Sequence, residues 1–116
     1  MELLICVLNE SEKIFDHVLE SLEKHDITGC TVIESTGMRK VLHHDEETSI
    51  FFGAIRSVLS DSERMRSHTL FMVLEKEMIE TAISAIEEVV GSFDNENTGI
   101  AFSMPLDFVK GIRRAD

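Results

Sequence analysis

Residues Leu3 to Leu8 (LLICVL) are a short, wholly apolar run that stops at Asn9, the pattern of a strand buried on both faces. Asn9 and Glu12 have capping-box spacing, with Asn in the cap position. Ile14, Phe15, Val18, Leu19 and Leu22 then recur at i, i+1, i+4, i+5 and i+8, one face of a helix. Lys24 and His25 stand near its end, where positive charge complements the helix dipole. Thr31 to Ser35 (TVIES), introduced by Gly29, reads as a second strand. The same order is then repeated. Thr69 to Leu74 (TLFMVL) is a strand, and Met78, Ile79, Ala82, Ile83, Ile86, Val89 and Val90 mark a helix face. A polar turn, Gly91 to Asn97, leads into Gly99 to Met104 (GIAFSM). Even the approaches match: Thr28-Gly29 precedes the second strand and Thr98-Gly99 the fourth.

Two strand–helix–strand units in series predict an α+β fold of the ferredoxin-like βαββαβ kind. It is one domain over residues 1–116, with a four-stranded antiparallel sheet and two helices on one face. Right-handed crossovers place both helices on the same side. The strands are apolar at nearly every position, so the other sheet face also needs cover, and self-association is expected. Between the halves lies a segment of about 30 residues, Gly37 to Arg66, far longer than the ordinary connection of roughly 4–6. Within it Phe51, Phe52, Ile55, Val58 and Leu59 keep helical spacing, with Thr48 or Ser49 as cap. A short amphipathic helix is expected there, packed on the protein or a neighbouring subunit, or docking a partner through Phe51, Phe52, Ile55 and Arg56.

The chain has 116 residues, 43% of them hydrophobic, no Trp, no Tyr and one proline, Pro105. That is enough for one domain with its own core. The first apolar run is too short to span a membrane and lacks a basic flank, so cytoplasmic residence is expected. Cys6 and Cys30 lie in or beside apolar runs and read as small core residues. A net charge of −11 repels nucleic-acid backbones. Its distribution is uneven. In Gly37 to Arg66 five basic residues (Arg39, Lys40, Arg56, Arg64, Arg66) balance five acidic ones, and the rest of the chain carries the whole excess. An anionic ligand is best received near that cationic cluster.

No catalytic motif is present: there is no nucleophile elbow and no Walker or Rossmann glycine pattern, so no enzyme activity is expected. His43-His44-Asp45-Glu46-Glu47 has metal-ligand residue types, but adjacent residues do not converge on one ion. It reads as a solvated loop, and no metal site is assigned. His17 falls on the polar side of the first helix. The glycine-containing turns at strand ends, Thr36-Gly37-Met38-Arg39 and Gly91 to Gly99, offer backbone amides to anions. Arg39 and Lys40 add charge to the first, whereas Asp94 and Glu96 oppose it in the second.

The run GCTVIESTGM (Gly29 to Met38) resembles the second strand and T-loop start of the PII-type signalling proteins, and GIAFSMPLDFVKGI (Gly99 to Ile112) resembles the last strand and tail of divergent PII-like members. The βαβ–loop–βαβ order extends the likeness over most of the chain. The resemblance implies a homotrimer with sheets packed inward and no enzyme activity. It also implies a small effector, often an adenine nucleotide, in the clefts between subunits, and a long loop that signals to a partner protein. The T-loop falls on residues 37–66 and the B-loop on 91–99. Ligand contacts then fall on Gly37, Met38, Arg39 and Lys40 of one subunit and Ser92, Asp94, Thr98 and Gly99 of its neighbour. The sequence departs from the family at Gly99, which stands where a phosphate-binding Lys is usual, and in lacking any Tyr for uridylylation. No cofactor is therefore assigned. Two other readings stand beside this one: a ligand-free protein-interaction module, and a divalent-metal-binding trimer.

Overall fold

A computed structural model of the chain describes residues 1–38 and 67–112. The elements run in the order β1 (Glu2–Leu8), α1 (Glu12–Lys24), β2 (Thr31–Ser35), β3 (Ser67–Leu74), one turn of 3₁₀ helix (Lys76–Met78), α2 (Ile79–Val90) and β4 (Gly99–Pro105). The strands form one sheet in the order β2-β3-β1-β4. Every neighbouring pair is antiparallel. This is the expected ferredoxin-like arrangement, with β1 and β3 at the centre and β2 and β4 at the edges.

The pleat sends alternate residues to opposite faces. On one face Leu4, Cys6 and Leu8 of β1 and Leu70 and Met72 of β3 meet Phe15, Val18 and Leu22 of α1 and Ala82, Ala85 and Ile86 of α2, all buried. Burying one such leucine contributes roughly 1.5–3 kcal/mol. The two helices therefore share a face, as the crossover rule requires. Small residues let α2 lie close to α1. Ser21 donates from its hydroxyl to the Ala85 carbonyl at 2.7 Å across that contact, so its burial leaves no unpaired group.

The other face carries Leu3, Ile5 and Val7, Thr69, Phe71 and Val73, Ile33, and Ile100, Phe102 and Met104. Ile100 is 58% exposed, Ile33 50% and Phe102 44%. The helices cannot reach this side, and its residues are as apolar as those of the core.

Two local readings are corrected. The cap of α1 is Ser11, whose hydroxyl accepts from the Ile14 amide at 3.4 Å. Asn9 instead accepts from the Ser67 hydroxyl at 2.8 Å and donates to the Asn97 carbonyl at 3.4 Å, tying the ends of three strands. The two Thr-Gly approaches also differ. Gly99 has φ 137°, and a Cβ there would overlap the Val7 carbonyl, whereas a Cβ on Gly29 meets nothing within 4 Å. Strand β3 begins at Ser67, two residues before the apolar run. The amphipathic stretch Phe51 to Leu59 lies outside the described residues.

Gly99→Ala is expected to destabilise the fold by about 1–3 kcal/mol through backbone strain and overlap with β1. Gly29→Ala should be neutral or stabilising by up to about 1 kcal/mol. Urea unfolding of the two variants against the parent checks the contrast.

Candidate functional site

The expected ligand residues that the structure describes, Gly37, Met38, Ser92, Asp94, Thr98 and Gly99, fall at one end of the sheet. Leu8 pairs with His68 and with Gly99, and His68 pairs with Glu34. The C-terminal ends of β1 and β2 and the N-terminal ends of β3 and β4 are thus level. Gly37 and Met38 follow β2, and the Gly91–Gly99 turn feeds β4. These strands are the two edges of the sheet, separated by β3 and β1. Three strand spacings put the edges roughly 14 Å apart. One chain therefore aligns the two half-sites on the same rim without bringing them together. Met38 is exposed, Asp94 is exposed, Ser92 is half-buried and Thr98 is buried. Arg39 and Lys40 lie outside the described residues, as do the partner-contact residues Phe51, Phe52, Ile55 and Arg56 and the His43-His44 pair.

The Gly91–Gly99 turn is built by its own polar groups. Gly91 ends α2 with φ 89°, and Asn97 takes φ 66°. The Phe93 amide donates to the Glu87 carboxylate at 2.9 Å and the Asp94 amide to the Ser92 hydroxyl at 3.0 Å. The Asn95 amide donates to the Ser92 carbonyl at 3.0 Å and that of Thr98 to the Asn95 carbonyl at 3.5 Å. Four amides of the turn are thus already used, which reduces what it can offer an anion without rearrangement.

Sequence reasoning missed a second cluster on the same rim. His68, at the start of β3, is 3% exposed. Its ring stacks on Phe15, centroids 4.0 Å apart and planes 7° from parallel. Its Nε2 is 3.6 Å from Glu12 Oε1 at the first turn of α1. Glu34, paired with His68 across the ladder, completes a group whose ligand atoms all lie within 4.8 Å of one another. The three residues are far apart in sequence and form no local motif. The available signal was parity: Glu34 and His68 pair across the ladder and share the helix side of the sheet.

Cys6 is a core residue, and Cys30 packs half-buried against the core. Burial pushes the Cys6 thiol up to about 12, with the nearby Cys30 adding to the shift. Burial raises Cys30 to about 11, opposed by a backbone hydrogen bond at Phe71. Cys30 also borders a shallow groove with Leu19, Leu22, Ile27 and Val32, between α1 and the β2 edge. This groove is remote from the rim that carries the ligand residues.

The family model for the nitrogen regulatory protein P-II matches residues 1–116. The chain belongs to the P-II family. None of the curated proteins matches it. Membership agrees with the sheet order, and it places the chain among signal-transduction regulators. Among the described residues no helix is long and apolar enough to cross a membrane.

Because both thiols stay protonated well above pH 9 and only the thiolate is nucleophilic, iodoacetamide should modify the folded protein at pH 9 at least tenfold more slowly than the urea-unfolded chain. Mass spectrometry of the time course measures this. Equal rates in the two states would remove the cysteines from the core.

Proposed function

We propose that this chain is a P-II-type signalling subunit, cytoplasmic and not an enzyme, that works as a homotrimer. In this reading the open sheet faces pack together, and each cleft between subunits receives a small anionic metabolite or nucleotide. One wall of the cleft is Gly37, Met38, Arg39 and Lys40. The other is Ser92, Asp94, Thr98 and Gly99 of the neighbour. The bound state passes through residues 37–66 to a protein partner, with Phe51, Phe52, Ile55 and Arg56 as the contact.

The observation that carries this reading is the apolar open face of a chain in this family. Contiguous exposed apolar surface of this kind marks an interaction site, and a second copy supplies a matching surface. Alignment of the half-sites on one rim but at opposite sheet edges supports ligand binding across copies rather than within one. A ligand shifts the loop only through unequal affinity for its conformations. Arg39 and Lys40 supply positive charge at the start of the segment that would respond.

The internal hydrogen bonding of the Gly91–Gly99 turn favours a second reading, a ligand-free interaction module of the same fold. The two readings share the assembly and differ in whether a small molecule binds.

Light scattering at micromolar concentration should give three times the chain mass, and Phe102→Asp should release monomers; a monomeric parent overturns the assembly. Calorimetry with adenine nucleotides, cyclic dinucleotides and 2-oxoglutarate should show at least one binder, weakened at least tenfold by Arg39→Ala. Silence from the whole set, together with partner capture that Phe52→Asp abolishes, would select the ligand-free module.

A further inference from the structure

We infer that Glu12, Glu34 and His68 form a binding site for a divalent transition-metal ion of the zinc class, at the root of the 37–66 segment. The site is separate from the proposed effector cleft, because its ligands come from β2, β3 and α1 of one chain and include none of the residues assigned to that cleft.

Geometry is the first argument. Zinc bonds imidazole nitrogen and carboxylate oxygen at about 2.0–2.2 Å, so two donors of one tetrahedral ion lie about 3.4 Å apart. Glu12 Oε1 and His68 Nε2 are 3.6 Å apart. With Glu34 the three ligand atoms fall within 4.8 Å of one another, close enough to converge after small side-chain rotations. Three protein ligands leave further coordination positions for water or another ligand.

The chemistry of the donors is the second argument. One imidazole with two carboxylates is a borderline-hard set suited to zinc and its neighbours rather than to calcium or copper(I).

The state of His68 is the third. Among the described residues, its Nδ1 is a buried side-chain nitrogen with no hydrogen-bond partner. Stacking on Phe15 holds the ring with the other nitrogen, Nε2, 3.6 Å from Glu12 Oε1. A ring held this way is preorganised for a ligand at Nε2.

The position gives the site its meaning. Glu34 lies one residue before the end of β2, and His68 one residue after the start of β3; Ser35 and Ser67 pair directly. An ion here ties the strand leading into residues 37–66 and the strand leading out of them to the first turn of α1.

The test uses the full-length protein and zinc chloride, with calorimetry for stoichiometry and thermal unfolding as a second readout. One zinc per chain is expected, with a raised melting temperature. Glu34→Gln and Glu12→Gln, both at exposed carboxylates and both checked for folding by circular dichroism, should each weaken binding at least tenfold. His43→Ala/His44→Ala should bind as the parent does. Cobalt(II) should give a visible absorption band that Glu34→Gln diminishes. No zinc uptake by the parent would overturn the proposal. So would parent-like binding in both folded glutamine variants, or loss of binding in the His43/His44 double variant alone.

Discussion

The central strand is apolar on both sides, and the rest of the molecule answers to that. The pleat of β1 sends Leu4, Cys6 and Leu8 beneath the helices and Leu3, Ile5 and Val7 to the opposite face. A strand of this kind carries no pattern to fix its register, since a slip of one residue exchanges one apolar set for another. Register is set instead at its C-terminal end. Gly99 alone permits the close approach of β4 to the Val7 carbonyl. Asn9 joins the start of β3 through Ser67 and the turn before β4 through Asn97. Its backbone amide also reaches the Thr98 carbonyl at 3.3 Å. The polar rim thus determines the alignment of an otherwise uniform sheet, and the same rim carries both candidate ligand regions.

Much of this architecture was legible because the signals were periodic. The i, i+3, i+7 spacing of Phe15, Val18 and Leu22 and the i, i+4 spacing of Ala82 and Ile86 located both helices and the faces they bury. The repeated order of elements implied a four-stranded antiparallel sheet, and the handedness rule put both helices on one face of it. Finer features depended on contacts that spacing does not encode. Ser11 caps α1 because the chain turns one residue before Glu12, while the alternative cap, Asn9, is drawn away by Ser67, which is distant in sequence. The Thr28-Gly29 and Thr98-Gly99 pairs look alike as letters. Only the second is pressed against a neighbouring strand.

The candidate sites divide in the same way. The two glycine turns were found because local residue types announce them, and the resemblance assigned them to facing subunits. That four amides of the Gly91–Gly99 turn have internal partners depended on Glu87 and Ser92, whose roles follow from how α2 ends. The Glu12–Glu34–His68 group was invisible because it joins three elements, each contributing one residue. His68 in particular preceded the apolar run that marked β3 and so escaped attention as a strand residue. Its stacking on Phe15 buries an imidazole at the edge of the core.

The direct pairing of Ser35 with Ser67 has a consequence for how this scaffold can diversify. The chain leaves the sheet and returns to it on adjacent, hydrogen-bonded strands, so the intervening stretch is a closed excursion whose endpoints the ladder holds. The entropy of closing such an excursion grows only with the logarithm of its length, about 0.6 kcal/mol per doubling. Changes of length between those two serines therefore add little closure cost to the sheet, and a descendant can acquire a new correspondent there while the ladder keeps its endpoints.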